Sequence, residues 1–475
     1  MSIIRDYILF FPLLINCVYG ARASLPPLPL SLKSLLSEGS EYFFNQTLDH
    51  ANSHSKKVFQ QRYYINSENY KEGGPVFIYI GGESELNPAF IQSGLPATLA
   101  KTYNAALFGL EHRYYGKSLP FEDLTAKNLK YLTSEQALND IVHFVRNVQN
   151  PITKKKFDLK TKFITIGGSY AGELSAWARM IFPEVFLGAH ASSAPLNVKD
   201  DFYEYDQEVQ KAIGQDCLPY FKEVSDFAES VILSKENEKI ENMKKLLTCE
   251  EIEDPKLFLY TFSDLVSSIV QYSNPSMPNN IETVCEGFKK TEEGDARFKY
   301  FSDVFKKELE KLGKTCYQFT SYDSLVNVKP DPSSSFRQWT YQSCNEFGYW
   351  QTAVHSKGKK SLRSKLLTKE WFQEFYCGPE IFGEKIGPSI TDEINDRLAK
   401  NGTVPNIIWV NGERDPWRSL SITKKMPDDL GQPVFIIKDG SHVTDLGPDY
   451  PKDSKSLKEV RQKVIEVIGG WLKEK

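Results

Sequence analysis

A run of β-branched and aromatic residues, Phe163-Ile164-Thr165-Ile166, leads without a break into Gly167-Gly168-Ser169-Tyr170-Ala171-Gly172. The run has the composition of a buried strand, and the alanine- and leucine-containing stretch after Ser169 that of a helix. A chain that passes from strand to helix through a serine flanked by small residues is held to a sharp turn, a nucleophile elbow. The neighbouring glycines keep clear the space into which the serine side chain projects. The helix that follows directs its N-terminus at the site and places the backbone N–H of Tyr170 as one oxyanion donor. Ala171 stands where the usual pattern has glycine, and alanine is small enough to fit. Small-residue turns between strand and helix are also common in α/β proteins, so the elbow alone does not decide the chemistry.

The rest of the chain supplies partners in the order an α/β-hydrolase requires, serine, then acid, then histidine. Of seven histidines, only His190, His355 and His442 follow Ser169. His442 stands in Asp439-Gly440-Ser441-His442, after the strand-like Val434-Phe435-Ile436-Ile437. Asp415 lies in the loop after Ile407-Ile408-Trp409-Val410. Both are loops at strand C-terminal ends, where such folds carry catalytic groups. The spacing between them leaves room for one helix joining two parallel strands. His190 sits at the end of a predicted strand and reads as structural; His355, in a lysine-rich stretch, reads as exposed. Ser169 is therefore assigned as nucleophile, His442 as general base and Asp415 as the acid that orients the imidazole. A second oxyanion donor is expected from the Gly82–Glu83 backbone, where Val76-Phe77-Ile78-Tyr79-Ile80 opens into Gly81-Gly82; the alternative is a plain tight turn.

Composition bears on compartment and partners. At 475 residues the chain can bury a large core and divides into about two domains on size alone. A net charge of −4 gives no reason to expect nucleic-acid binding. Residues 1–20 combine Arg5, the apolar run Tyr7 to Val18 and small residues before Ala21. This reads as a cleaved signal peptide, with a membrane anchor as the alternative. No later stretch is long and apolar enough for stable membrane insertion, so a secreted or lysosomal/endosomal destination is expected. Loss of the signal removes Cys17 and leaves Cys217, Cys249, Cys285, Cys316, Cys344 and Cys377, an even set for disulfides. None has a Cys-x-x-Cys neighbour, so neither a metal site nor redox chemistry is indicated, and no cofactor is expected. Asn45 and Asn401 head glycosylation sequons.

Strands and helices alternate up to Pro195, as a doubly wound, mostly parallel sheet requires. Thr133 and Gln136 form a capping-box pattern opening an amphipathic helix with Leu138, Ile141, Val142, Val145 and Val148 on one face. From Asp200 to about Leu325 the pattern changes to charged, helix-period segments with little strand character. Strand character returns at Pro405, and Leu457, Val460, Val464, Ile465, Ile468 and Trp471 mark a closing amphipathic helix. The expected organisation is a discontinuous α/β-hydrolase domain, 40–198 and 390–475, interrupted by a helical insert at 199–389. The insert is either a lid over the serine or a stabilising or oligomerising subdomain, which leaves a homodimer open.

Several segments resemble the serine-peptidase family of lysosomal Pro-X carboxypeptidase, dipeptidyl peptidase II and thymus-specific serine protease. They are Leu48-Asp49-His50, Gln61-Arg62-Tyr63-Tyr64, Gly81-Gly82-Glu83, Glu111-His112-Arg113-Tyr114-Tyr115-Gly116, Gly167 to Gly172 and Ser192-Ser193-Ala194-Pro195. Trp339 to Gly348, Asn411-Gly412 with Asp415-Pro416-Trp417, and Gly440-Ser441-His442 complete the set. Ala171 and Asp415-Pro416-Trp417 lean towards the thymus-specific branch. The resemblance implies an α/β-hydrolase with a helical insert, the triad above, a peptide substrate, and exopeptidase cleavage at or near proline. It also implies the disulfides Cys217–Cys285, Cys249–Cys316 and Cys344–Cys377. An esterase or lipase is the alternative on the elbow alone, and a non-enzymatic binding protein the alternative from another class.

Which chain end is recognised is not legible. Arg414 and Arg418 could hold a substrate carboxylate; Glu83, Glu111 and Glu346 could hold an amine. Trp339, Tyr341, Tyr349, Trp350 and Trp417 could line an apolar pocket. Glu173 departs from the family pattern, which has methionine there in proline-cleaving members. Spaced four residues after Ser169, it returns to the same helical face. Either it lines the specificity pocket and favours a basic or polar residue, or it turns away to a cation or water.

Overall fold

The computed structural model describes residues 40–273, 280–353 and 361–474. The signal-peptide segment and His355 lie outside the described residues. Eight strands form the central sheet: β1 Tyr42–Thr47, β2 Val58–Asn66, β3 Val76–Ile80, β4 Ala106–Leu110, β5 Phe163–Gly168, β6 Phe186–Ser192, β9 Ile407–Gly412 and β10 Val434–Ile437. Two further strands, β7 Lys199–Asp201 and β8 Gly348–Trp350, pair separately and in parallel. The large sheet runs β1-β2-β4-β3-β5-β6-β9-β10. Its first two pairings are antiparallel and all the rest parallel. This is an α/β-hydrolase sheet.

The parallel strands β3, β4, β5 and β9 are buried along their whole length. Helices cover both faces, which is why these strands read as unbroken apolar runs rather than as alternating ones. Successive side chains still divide between the faces: Val76, Ile78 and Ile80 join the larger core, Phe77 and Tyr79 the smaller. The smaller core is closed by the C-terminal helix Lys455–Lys473 through Leu457, Val460, Val464, Ile468 and Trp471. Gly188 of β6 makes room for it, since a Cβ there would lie 2.6 Å from the Trp471 ring.

The chain orders β4 and β5 on opposite sides of β3. That reversal opens a crevice beyond the C-terminal ends of β3 and β5, where α/β folds bind ligands. Gly81-Gly82 and Ser169 follow those two strands.

The capping-box pattern is half realised. Thr133 accepts a hydrogen bond from Gln136 N–H at 3.2 Å and caps the helix Ser134–Asn147. The Gln136 side chain does not close the box. Its amide donates to Asp49, and its oxygen accepts from His50 N–H, fastening the β1–β2 connection to the helix. Between β6 and β9 the chain is mainly helical, including Glu204–Ile213, Leu218–Ser234, Pro255–Gln271, Ile281–Lys289 and Asp295–Leu312. The β7–β8 pair adds a small strand element that helix-period reading passes over, because three-residue strands carry no periodicity. Cys217–Cys285, Cys249–Cys316 and Cys344–Cys377 are bonded, with Cα separations of 5.6, 5.1 and 5.7 Å. Among the described residues no helix is long and apolar enough to cross a membrane.

Candidate active site

Ser169 sits at φ +55°, ψ −129° between β5 and the helix Tyr170–Ile181. A non-glycine residue at positive φ is strained, and such strain persists only where the surroundings enforce it. The flanking glycines permit the turn. A Cβ on Gly167 would lie 2.0 Å from the Ala171 carbonyl oxygen, so the helix doubles back over the strand only because that position is bare. A Cβ on Gly168 would lie 2.8 Å from Val443, the residue after His442; its absence lets the histidine loop settle against the elbow. Ala171 lies next to Gly82 without crowding it. Even a Cβ added to Gly82 would stand 3.6 Å from that of Ala171, which also places the Gly82–Glu83 loop beside the elbow.

Asp415 and His442 come together from the loops after β9 and β10. His442 Nδ1 is 2.9 Å from both Asp415 carboxylate oxygens, and both side chains are buried. With Nδ1–H donating to the carboxylate, Nε2 carries the lone pair a base needs. The two loops meet over Gly412, where a Cβ would strike the carbonyl oxygens of Gly440 and Ser441. Asp415 also accepts from Trp417 N–H at 3.0 Å, so the acid is clamped from two sides. Among the described residues, neither Ser169 Oγ nor His442 Nε2 has a hydrogen-bond partner, although both atoms are buried.

The histidine loop is bolted to β6. Val443 N–H donates to Ser193 Oγ at 2.9 Å, and Ser192 Oγ donates to Asp445. Ser192 O accepts from Ser169 N–H, so one residue touches both the elbow and the histidine loop. His190, in β6, is fully buried with Nε2 3.0 Å from Asp445 Oδ2. Burial raises the Asp445 carboxyl, but His190, Ser192 and Arg461 outweigh it and hold Asp445 below the usual carboxylate range. His190 is thus part of the scaffold, as its strand position suggested.

The remaining candidates separate clearly. Tyr170 packs its ring on Trp339, and Trp339 packs on Phe347. Tyr341 is directed to Phe382 instead, at 5.7 Å. Trp417 is fully buried, 5.4 Å from the Tyr349 ring and 6.4 Å from the His442 ring. Glu173 is fully buried and accepts from Tyr349 OH at 3.1 Å. Among the described residues its carboxylate meets the Tyr349 hydroxyl rather than a cation, and its Oε2 lacks a partner. Burial, with Glu83 and Glu346 adding like charge, raises its carboxyl well above the ordinary value against the opposing Tyr349 bond. Glu346 accepts from Ser134 N–H and Oγ, at 3.0 and 2.7 Å. Glu111 is bound by Arg62 and Ser118. Arg414 pairs with Glu282 and Asp439, and Arg418 donates to the Glu413 carbonyl oxygen. Glu111, Arg414 and Arg418 are therefore engaged in local structure. Asn45 is exposed on β1, and Asn401 is half-buried at the end of the helix Thr391–Asn401. No cluster placed to hold a metal ion occurs among the described residues.

Sequence reading missed Gln271, Tyr272 and Tyr205 of the insert. Tyr272 packs edge-on to His442 at 6.2 Å. No sequence motif marks these residues, since they meet the site only through the packing of the insert.

Residues 46–464 match the model of the family described as serine carboxypeptidase S28. This chain belongs to that family. It is 30% identical to the thymus-specific serine protease of Mus musculus over 454 residues, covering 91% of this chain and 87% of the relative. The human thymus-specific serine protease is 28% identical, with 91% and 86% covered. The lysosomal Pro-X carboxypeptidase of Pongo abelii is 27% identical, with 95% and 92% covered. The chain is a serine-type peptidase of the S28 family.

Proposed function

We propose that the protein is a secretory-pathway serine exopeptidase acting through Ser169, His442 and Asp415. The observation that carries this reading is a buried His–Asp pair whose outer nitrogen has no partner among the described residues, on a loop packed against the strained elbow of Ser169, whose hydroxyl is likewise unpartnered. A base and a nucleophile awaiting substrate account for both free atoms.

In the proposed reaction His442 Nε2 takes the Ser169 hydroxyl proton as Oγ attacks the scissile carbonyl carbon. The carbonyl π electrons move to oxygen, where the N–H groups of Tyr170 and the Gly82–Glu83 loop would receive the developing charge. The imidazolium, steadied by Asp415, gives its proton to the leaving nitrogen as the C–N bond breaks, leaving an ester on Ser169. Water then repeats the sequence: His442 takes its proton, the carbonyl is attacked, and Ser169 leaves with the proton returned.

Exopeptidase action is supported by enclosure. Ser169 is fully buried and His442 is 3% exposed beneath the insert, which suits a chain end better than a long segment. A preference at or near proline is suggested by the name of the Pro-X relative, with Glu173 the residue most able to modify it. Secretory entry is supported by the N-terminal apolar segment and by three disulfides.

A fluorophosphonate should label Ser169 in the folded protein and not in Ser169→Ala. Peptides blocked at either end in turn should then lose cleavage with one block only. Absence of labelling sinks the triad, and equal cleavage of doubly blocked peptides sinks the exopeptidase reading.

A further inference from the structure

The helix Pro255–Gln271 belongs to the insert, yet its last residue touches both loops that carry the acid and the base. The final carbonyls of a helix have no partner within it and must find one elsewhere. The carbonyl oxygen of Gln271 accepts from His442 N–H at 3.1 Å. Its side-chain oxygen accepts twice, from Trp417 Nε1–H at 3.0 Å and from Tyr205 OH at 2.7 Å. Its amide nitrogen donates to Tyr272 OH, whose ring meets His442 edge-on. Trp417 in turn donates its backbone N–H to Asp415. Gln271 is itself 6% exposed, so these bonds form away from competing water.

We propose that Gln271 is a positioning residue for the acid–base pair, so that the insert completes the catalytic apparatus as well as covering it. The inference rests on the triad reading. It explains why one buried amide has its oxygen shared between a hydrolase-domain indole and an insert phenol. A glutamine amide satisfies both donors while remaining neutral; a carboxylate there would add charge near Asp415, which already acts on Tyr205. The end of the helix also presents its partial negative charge to the histidine loop, which favours the imidazolium formed during the reaction. If the insert moved away as a unit, the Gln271–His442 bond would break, and the pair would lose a constraint at the moment the site opened.

The test is a double-mutant cycle on kcat and KM with full-length protein. Gln271→Leu keeps the shape and the backbone carbonyl but removes the shared acceptor; Trp417→Phe removes the matching donor and keeps an aromatic ring. Each single change should lower kcat at least ten-fold with KM changed less than three-fold. The double variant should be no slower than the worse single variant. A purely packing role would instead give multiplicative losses, or a raised KM with kcat preserved, and either overturns the proposal. If Gln271→Leu does not fold, wild-type kcat in Trp417→Phe overturns it alone. Ser169→Ala run alongside separates the two readings: activity retained there refutes the triad, whereas activity lost there with kcat unchanged in Gln271→Leu refutes only the positioning role.

Discussion

Replacing Glu346 by glutamine should change how stability depends on pH. Glu346 is 3% exposed, and its carboxylate accepts from the backbone and hydroxyl of Ser134 at the start of the helix Ser134–Asn147. Burial pushes its carboxyl up from 4.5 to about 7, with the Ser134 bonds opposing. An acid with a raised folded value binds its proton more tightly in the folded state. Its contribution is therefore fully present below about 4.5 and lost as pH rises to about 7. At about 1.4 kcal/mol per pH unit, that interval corresponds to roughly 3 kcal/mol. Glu346→Gln preserves volume and one acceptor oxygen but cannot ionise. Urea denaturation of both proteins at pH 4.5, 6 and 7.5 should show the variant gaining about 3 kcal/mol relative to wild type between the extremes. A difference that stays constant over this range refutes the reasoning.

His442→Ala should lower kcat by about 10⁴-fold or more with an unchanged circular dichroism spectrum; turnover within ten-fold of wild type would refute its role as base. Glu173→Met removes a buried carboxylate and widens the apolar surface beside Tyr349, so kcat/KM should shift towards proline over lysine substrates; an unchanged ratio shows that Glu173 does not set preference. Cys249→Ser with Cys316→Ser opens a loop of 67 residues and should destabilise the insert by about 4 kcal/mol. Limited proteolysis of the insert reads this out, and unchanged resistance counts against a stabilising role for that bridge.

The elements that sequence reading located best are those with strong local patterns. Phe163 to Ser169 is a strand and a strained turn because β-branched residues meet glycines within seven residues. The closing helix, expected from Leu457 to Trp471, spans Lys455–Lys473 because its apolar period is regular. The placement of Asp415 and His442 was legible for a related reason: each follows a short apolar strand, and parallel sheets deliver such loops to one edge. Where a residue had only its type to recommend it, reading was weaker. Arg414 and Arg418 invite assignment to a substrate carboxylate, and the structure gives each a local partner, Glu282 and Asp439 for Arg414 and the Glu413 carbonyl oxygen for Arg418. Glu173 is distinctive in sequence, but that its partner is Tyr349, 176 residues away, follows only from the insert folding back on the nucleophile helix.

Sequence by itself determined the longer strands of the sheet, the closing helix and the turn that strains Ser169. Those properties depend on backbone geometry and on residues within a few positions of one another. Tertiary structure alone decided that His190 is taken up by Asp445 and that Gln271 reaches the loops bearing both Asp415 and His442. Such contacts join residues separated by tens to hundreds of positions, and they arise when apolar faces pack and buried polar atoms must find partners, which no local pattern records.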